Sequence, residues 1–131
     1  MQTLKRAAAG AVAAAMVGLG GMAGTATSAS AAVLVRGQVM CVSQASVVGV
    51  WISASNGGSG WASTTKVNGY TKNYSYSLPN GGSYAVHVGC GGSPQSWATN
   101  NKSSSYSGTW NNFTCYDSSS AGWRYLTCQR T

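Results

Sequence analysis

Four cysteines, Cys41, Cys90, Cys115 and Cys128, constrain this chain more than any other feature. Their separations are 49, 25 and 13 residues. Zinc sites want close pairs such as C-x2-C, which this spacing does not offer. An even count in a short exported chain reads instead as two disulfides. In the chain-entropy account, closing the 49-residue loop contributes about 4 kcal/mol and the 13-residue loop about 3 kcal/mol. Such values rival the whole net stability of a small domain, about 5–15 kcal/mol.

Export itself is read from the first 31 residues. Lys5 and Arg6 form a basic start, residues 7–22 are an uncharged run of Ala, Val, Met, Leu and Gly, and Ala29-Ser30-Ala31 is an A-x-A cleavage site. Residues 1–31 are therefore expected to be a signal peptide and residues 32–131 a single secreted β domain. The apolar run is short and rich in Ala and Gly, a poor membrane span, and no later segment approaches the length needed. The processed chain is expected to be extracellular, without stable membrane insertion.

Beyond residue 31 there is no helical period. Short apolar runs are separated by Gly, Asn, Pro and Ser, the pattern of an antiparallel β domain. Strands are expected over residues 39–42, 47–55, 61–67, 70–78, 83–90, 97–99, 113–116 and 123–128, with residues 100–108 polar and mobile. Asn68-Gly69 is the strongest hairpin signal. The clearest alternation sets Tyr84, Val86, Val88 and Cys90 on one face and Ala85, His87 and Gly89 on the other. Three disulfide connectivities are possible, and the nested one scores much the same by entropy. The strand reading favours Cys41–Cys90, linking facing sheets, with Cys115–Cys128 stapling a hairpin. The expected fold is all-β, a small antiparallel β-sandwich with two disulfides. Its style is immunoglobulin-like, since Cys41, Trp51 and Cys90 follow a Cys–Trp–Cys order; the tyrosine-corner position holds Val88, so membership is not claimed.

Reactive chemistry finds little to stand on. Beyond the leader the only acid is Asp117 and the only histidine His87. A carboxylate pair is impossible, oxidised thiols are not nucleophiles, and no G-x-S-x-G elbow supports a Ser-His-Asp relay. His87 is better read as a half-exposed strand residue and Asp117 as a loop-bending one. No catalytic residue, metal or cofactor is expected. Six Lys and Arg, scattered without an adjacent pair, stand against that single acid, which argues against a nucleic-acid partner. A weak, salt-sensitive attraction to an anionic cell wall fits the charge better.

Aromatic residues are the positive signal. Five Trp, seven Tyr and one Phe exceed what a small sandwich buries. Trp51, Tyr76, Tyr84 and Phe113 are expected in the core. Trp61, Tyr70, Trp97, Tyr106, Trp110 and Trp123 lie beside Gly/Ser/Asn loops and form the expected binding set, because rigid rings amid small polar groups favour recognition. The same rings can instead cover loop backbone as satellite clusters. The apolar start, Ala32-Val33-Leu34-Val35, is expected to be the first strand of the domain's own sheet, the alternative being addition to a partner's sheet edge.

The segments Gly49-Val50-Trp51-Ile52, Gly57-Gly58-Ser59-Gly60-Trp61-Ala62 and Leu78 through Pro94 carry a resemblance. Over roughly the central half, the chain resembles small secreted proteins of Streptomyces-type actinobacteria. As a lone exported β domain of this size it also resembles the adaptor subunit of umbrella toxin particles, without a residue-by-residue match. That resemblance implies a non-enzymatic protein-interaction module linking larger secreted proteins in an extracellular complex. The residues themselves also allow carbohydrate binding through exposed Trp and Tyr, or inhibition of secreted hydrolases.

Overall fold

Strand alternation sorts the side chains before any sheet is assembled. In the computed structural model, which describes residues 31–131, β1 (Val33–Cys41) buries Val35, Val39 and Cys41 and turns Leu34, Arg36 and Gln38 outward. The strand begins six residues earlier than expected. The expected leader, residues 1–31, lies outside the described residues except for Ala31. β2 (Val47–Ala54) buries Val47, Val50 and Ile52. The chain then forms β3 (Gly60–Trp61), β4 (Ser63–Asn68), β5 (Thr71–Leu78) and β6 (Tyr84–Ser93). It ends with β7 (Ser96–Lys102), β8 (Phe113–Cys115) and β9 (Cys128–Arg130).

Two sheets result, one ordered β9-β8-β1-β5-β4 and the other β3-β2-β6-β7. All pairings are antiparallel except β1 with β8. Val35, Val39, Tyr74, Leu78 and Phe113 of the first sheet meet Val50, Ile52, Tyr84, Val86 and Val88 of the second in the core. Cys41–Cys90 joins the two sheets across that core, with Cα atoms 6.0 Å apart. Cys115–Cys128 links register partners on β8 and β9. Both pairings are the favoured ones, and the all-β sandwich is as expected.

Several elements differ from expectation. The run 61–67 is not one strand: Trp61 pairs with β2, whereas Ser63 onward pairs with β5, so the chain changes sheets at Ala62. The Ala62 amide bonds to the Val50 carbonyl (2.9 Å), which keeps the corner attached to the second sheet. Residues 100–108 are not a free polar loop. Asn101 and Ser103 are buried, Ser103 Oγ accepts from the Val86 amide (2.9 Å), and Tyr106 exchanges backbone bonds with Tyr84. Polar side chains here complete an edge that apolar patterning cannot reveal. The run 123–128 forms a 3-10 turn over Ser119–Arg124 and only then a strand, because Gly122 leaves helical geometry and Leu126 adopts φ 67°.

The expected core aromatics divide. Tyr84 and Phe113 are buried, but Trp51 and Tyr76 are only partly so, and Tyr74 is the large buried ring of β5. Trp51 falls between the inward Val50 and Ile52, so strand geometry turns it out. It does not pack against the disulfide as an immunoglobulin-style Trp would.

β1, the first strand of the described residues, is the middle strand of its sheet. β1 pairs with β5 over Val33–Met40 and with β8 over Val39–Cys41. It is the domain's own strand, as the main expectation had it.

Candidate functional site

The outer face of the second sheet gathers what its inner face excludes. Trp51 lies opposite His87 on β6 and opposite Trp61 on β3. Gly49 and Gly89 are register partners on the same strand pair. A Cβ on Gly49 would sit 2.9 Å from the Trp97 ring, and one on Gly89 would sit 2.2 Å away. The indole of Trp97 therefore lies directly on bare backbone, a contact only glycine permits.

The three indoles meet edge to face. Trp51 and Trp61 have centroids 5.0 Å apart at 83°, and Trp61 and Trp97 are 5.8 Å apart at 75°. This is the preferred arrangement for aromatic pairs, worth about 0.5–1.5 kcal/mol beyond area burial. Trp61 remains 61% exposed. Together with His87, Pro94, Gln95 and Asn100 they line an open groove of about 840 Å³. His87 titrates below the ordinary histidine value, first because burial disfavours its charge and second because Lys102 lies near it; a hydrogen bond with Asn100 opposes the shift. At neutral pH the groove thus presents an uncharged imidazole and two amides beside apolar ring surface.

The expected binding residues do not form one surface. Trp61 and Trp97 enter the groove. Tyr70 is half-buried at the β4–β5 turn, where its carbonyl accepts from the Cys41 amide (3.0 Å). Tyr106 packs on Phe113 at 5.8 Å and is covered by Arg130 at 4.3 Å. Trp110 stands with Arg36 (5.5 Å) on the outer side of the first sheet, beside Ser63, Thr65 and Asn73. Trp123 projects from the 3-10 turn. Sequence reasoning missed Trp51 as a groove residue; its flanking Val50 and Ile52 were the signal. It also set His87 aside, and nothing local shows that His87 lies across from Trp51.

All four cysteines are oxidised. Asp117 lies within 4.8 Å of the Cys41 and Cys90 sulfurs, but disulfide sulfurs are poor metal ligands and the carboxylate is already engaged. Oδ1 accepts from the Ser43 amide (2.9 Å) and Oδ2 from the Ser43 hydroxyl. Asp117 thereby ties the β1–β2 loop to the end of β8, on a different sheet from His87. What the groove can do is bind: stack apolar ligand faces and exchange hydrogen bonds from neutral groups. Compared with protein-family models, curated proteins and solved structures, the chain matches none.

Proposed function

We propose that this chain is an exported, non-enzymatic binding module that holds carbohydrate in its indole groove. The observation behind this reading is the convergence of Trp51, Trp61 and Trp97 on His87, Gln95 and Asn100. Sugars alternate apolar C–H faces with hydroxyls. Indole faces match the first, while amide and imidazole groups match the second. The groove volume lies in the ordinary range for ligand sites, roughly 300–1,000 Å³. The leader pattern in residues 1–31 and the two disulfides support an extracellular setting.

The test is retention on insoluble peptidoglycan and chitin. The oxidised protein is expected to be retained on at least one, with Trp61→Ala and Trp97→Ala each weakening retention about tenfold, the loss of one stacked ring. Wild type that passes through both resins, or a Trp61→Ala variant retained like wild type, overturns the reading.

A second reading is favoured by one observation, the two ring-bearing faces on opposite sheets. Trp110 with Arg36 stands on one outer face and the indole groove occupies the other. An adaptor within an extracellular protein complex needs two such contact surfaces, in keeping with the resemblance to toxin-particle adaptors. Contact would then come through these rings, since β1 is paired with β5 over Val33–Met40 and with β8 over Val39–Cys41. Elution of the native protein from culture medium in a large assembly supports this reading; a free monomer removes it.

A further inference from the structure

We propose that the loop joining β8 to β9 is a peripheral anchor for anionic phospholipid surfaces, separate from the indole groove. Trp123 is 81% exposed, and Tyr125 and Leu126 are each 39% exposed beside it. No residue of the 3-10 turn is buried. Trp123 stands largely uncovered by the described residues and Tyr125 and Leu126 partly so, yet the loop is firmly held. Cys115–Cys128 closes it, the Leu126 amide bonds to the Tyr116 carbonyl (2.8 Å), and the Tyr116 amide bonds to the Thr127 carbonyl (2.8 Å). Leu126 is kept at φ 67°, a backbone state disfavoured for a residue with a Cβ. The fold thus presents an apolar tip in a fixed, locally unfavourable conformation.

The chemistry of the tip selects its partner. Trp and Tyr are enriched at the headgroup level of bilayers, where an apolar ring and a polar edge are both satisfied. Arg124 lies over Tyr116 (4.5 Å) and Trp123 (5.6 Å), so a guanidinium accompanies the rings to the depth of the phosphates. Charge agrees across the molecule. Among the described residues six Lys and Arg face a single acid, and that acid, Asp117, is buried and bonded to Ser43. An anionic surface therefore meets no opposing side-chain carboxylate. A protein partner is less well matched: stable interfaces bury about 800 Å² on each side, more than three side chains at a loop tip supply. A bilayer yields around such a tip, and the resulting attachment is reversible.

Sedimentation of the oxidised protein with vesicles tests this. Phosphatidylglycerol vesicles are expected to carry the protein down. Phosphatidylcholine vesicles are expected to do so about tenfold less well, and raised salt should weaken the anionic case. Trp123→Ala is expected to lower partitioning about tenfold and Arg124→Ala to reduce it, whereas Leu34→Ala, at an exposed apolar site on β1, leaves it unchanged. Trp123 is so exposed that its truncation does not threaten folding, which circular dichroism checks. Wild type that stays in solution with both vesicle types, equal binding to both, or Trp123→Ala behaving as wild type overturns the proposal. Retention on peptidoglycan or chitin is unaffected by Trp123→Ala in either case, so the two sites are judged separately.

Discussion

Tyr74 and Tyr84 come from facing sheets and meet through their hydroxyls at 2.8 Å. Tyr74 Oη donates to the Asn111 carbonyl (2.7 Å), and Asn111 Nδ2 donates to Tyr84 Oη (3.1 Å). The Tyr84 hydroxyl is then left to donate to Tyr74, and each polar atom of this buried cluster has a partner. Tyr74→Phe removes a donor and an acceptor while leaving the ring volume, and is expected to cost about 1–3 kcal/mol in denaturant unfolding. Burial first, and then the hydrogen bond with Tyr84, hold the Tyr74 phenol far above the usual tyrosine range. The unfolded chain loses that proton near the ordinary value of about 10 while the folded chain keeps it. Stability from this group is complete below about pH 10 and declines as pH rises beyond it. Tyr74→Phe should flatten the alkaline arm of a stability-versus-pH profile; an unchanged arm means Tyr74 ionises freely in the fold.

At the scale of elements, the β2–β6 strand pair makes the groove by what it omits. Gly49 and Gly89, opposite each other, leave the sheet surface flat where Trp97 lies. Gly89→Ala puts a methyl where the indole now sits, and overpacking of this kind costs about 1–3 kcal/mol. Displacing Trp97 should also weaken carbohydrate retention, and the two effects are read by denaturant midpoint and resin binding on the same preparation. A variant with wild-type midpoint and retention shows that Trp97 is not seated on the glycine pair. The elements themselves were largely legible. Period-2 alternation marked β6, whose Tyr84, Val86, Val88 and Cys90 do face the core. The alternation failed where polar atoms do the holding, as at Asn101 and Ser103, and where one extended run serves two sheets, as at Ala62. No local signal says which sheet an extended segment joins.

For the molecule as a whole, the two disulfides act on different loops. Cys41–Cys90 ties the sheets together, while Cys115–Cys128 ties two neighbouring short strands. The double variant Cys41→Ala/Cys90→Ala is expected to lose about 4 kcal/mol and Cys115→Ala/Cys128→Ala about 3 kcal/mol, measured by denaturant unfolding. For a domain with about 5–15 kcal/mol in total, removing both pairs should leave little or no folded population. A fully reduced chain that keeps its cooperative unfolding transition contradicts this dependence.

The division between sequence and tertiary structure follows from the range of the forces involved. The all-β class, the four oxidised cysteines and the faces of the best strands were legible because spacing, alternation and turn chemistry act over a few residues. The sandwich pairing Cys41–Cys90 could be favoured on the same basis, since both cysteines share a face with valines. Tertiary structure alone decided that Trp51, Trp61, Trp97 and His87 share a groove, and that Tyr106 is covered while Trp123 is not. Those outcomes depend on strand register and on which segment lies against which, contacts between residues far apart in the chain that no local pattern encodes.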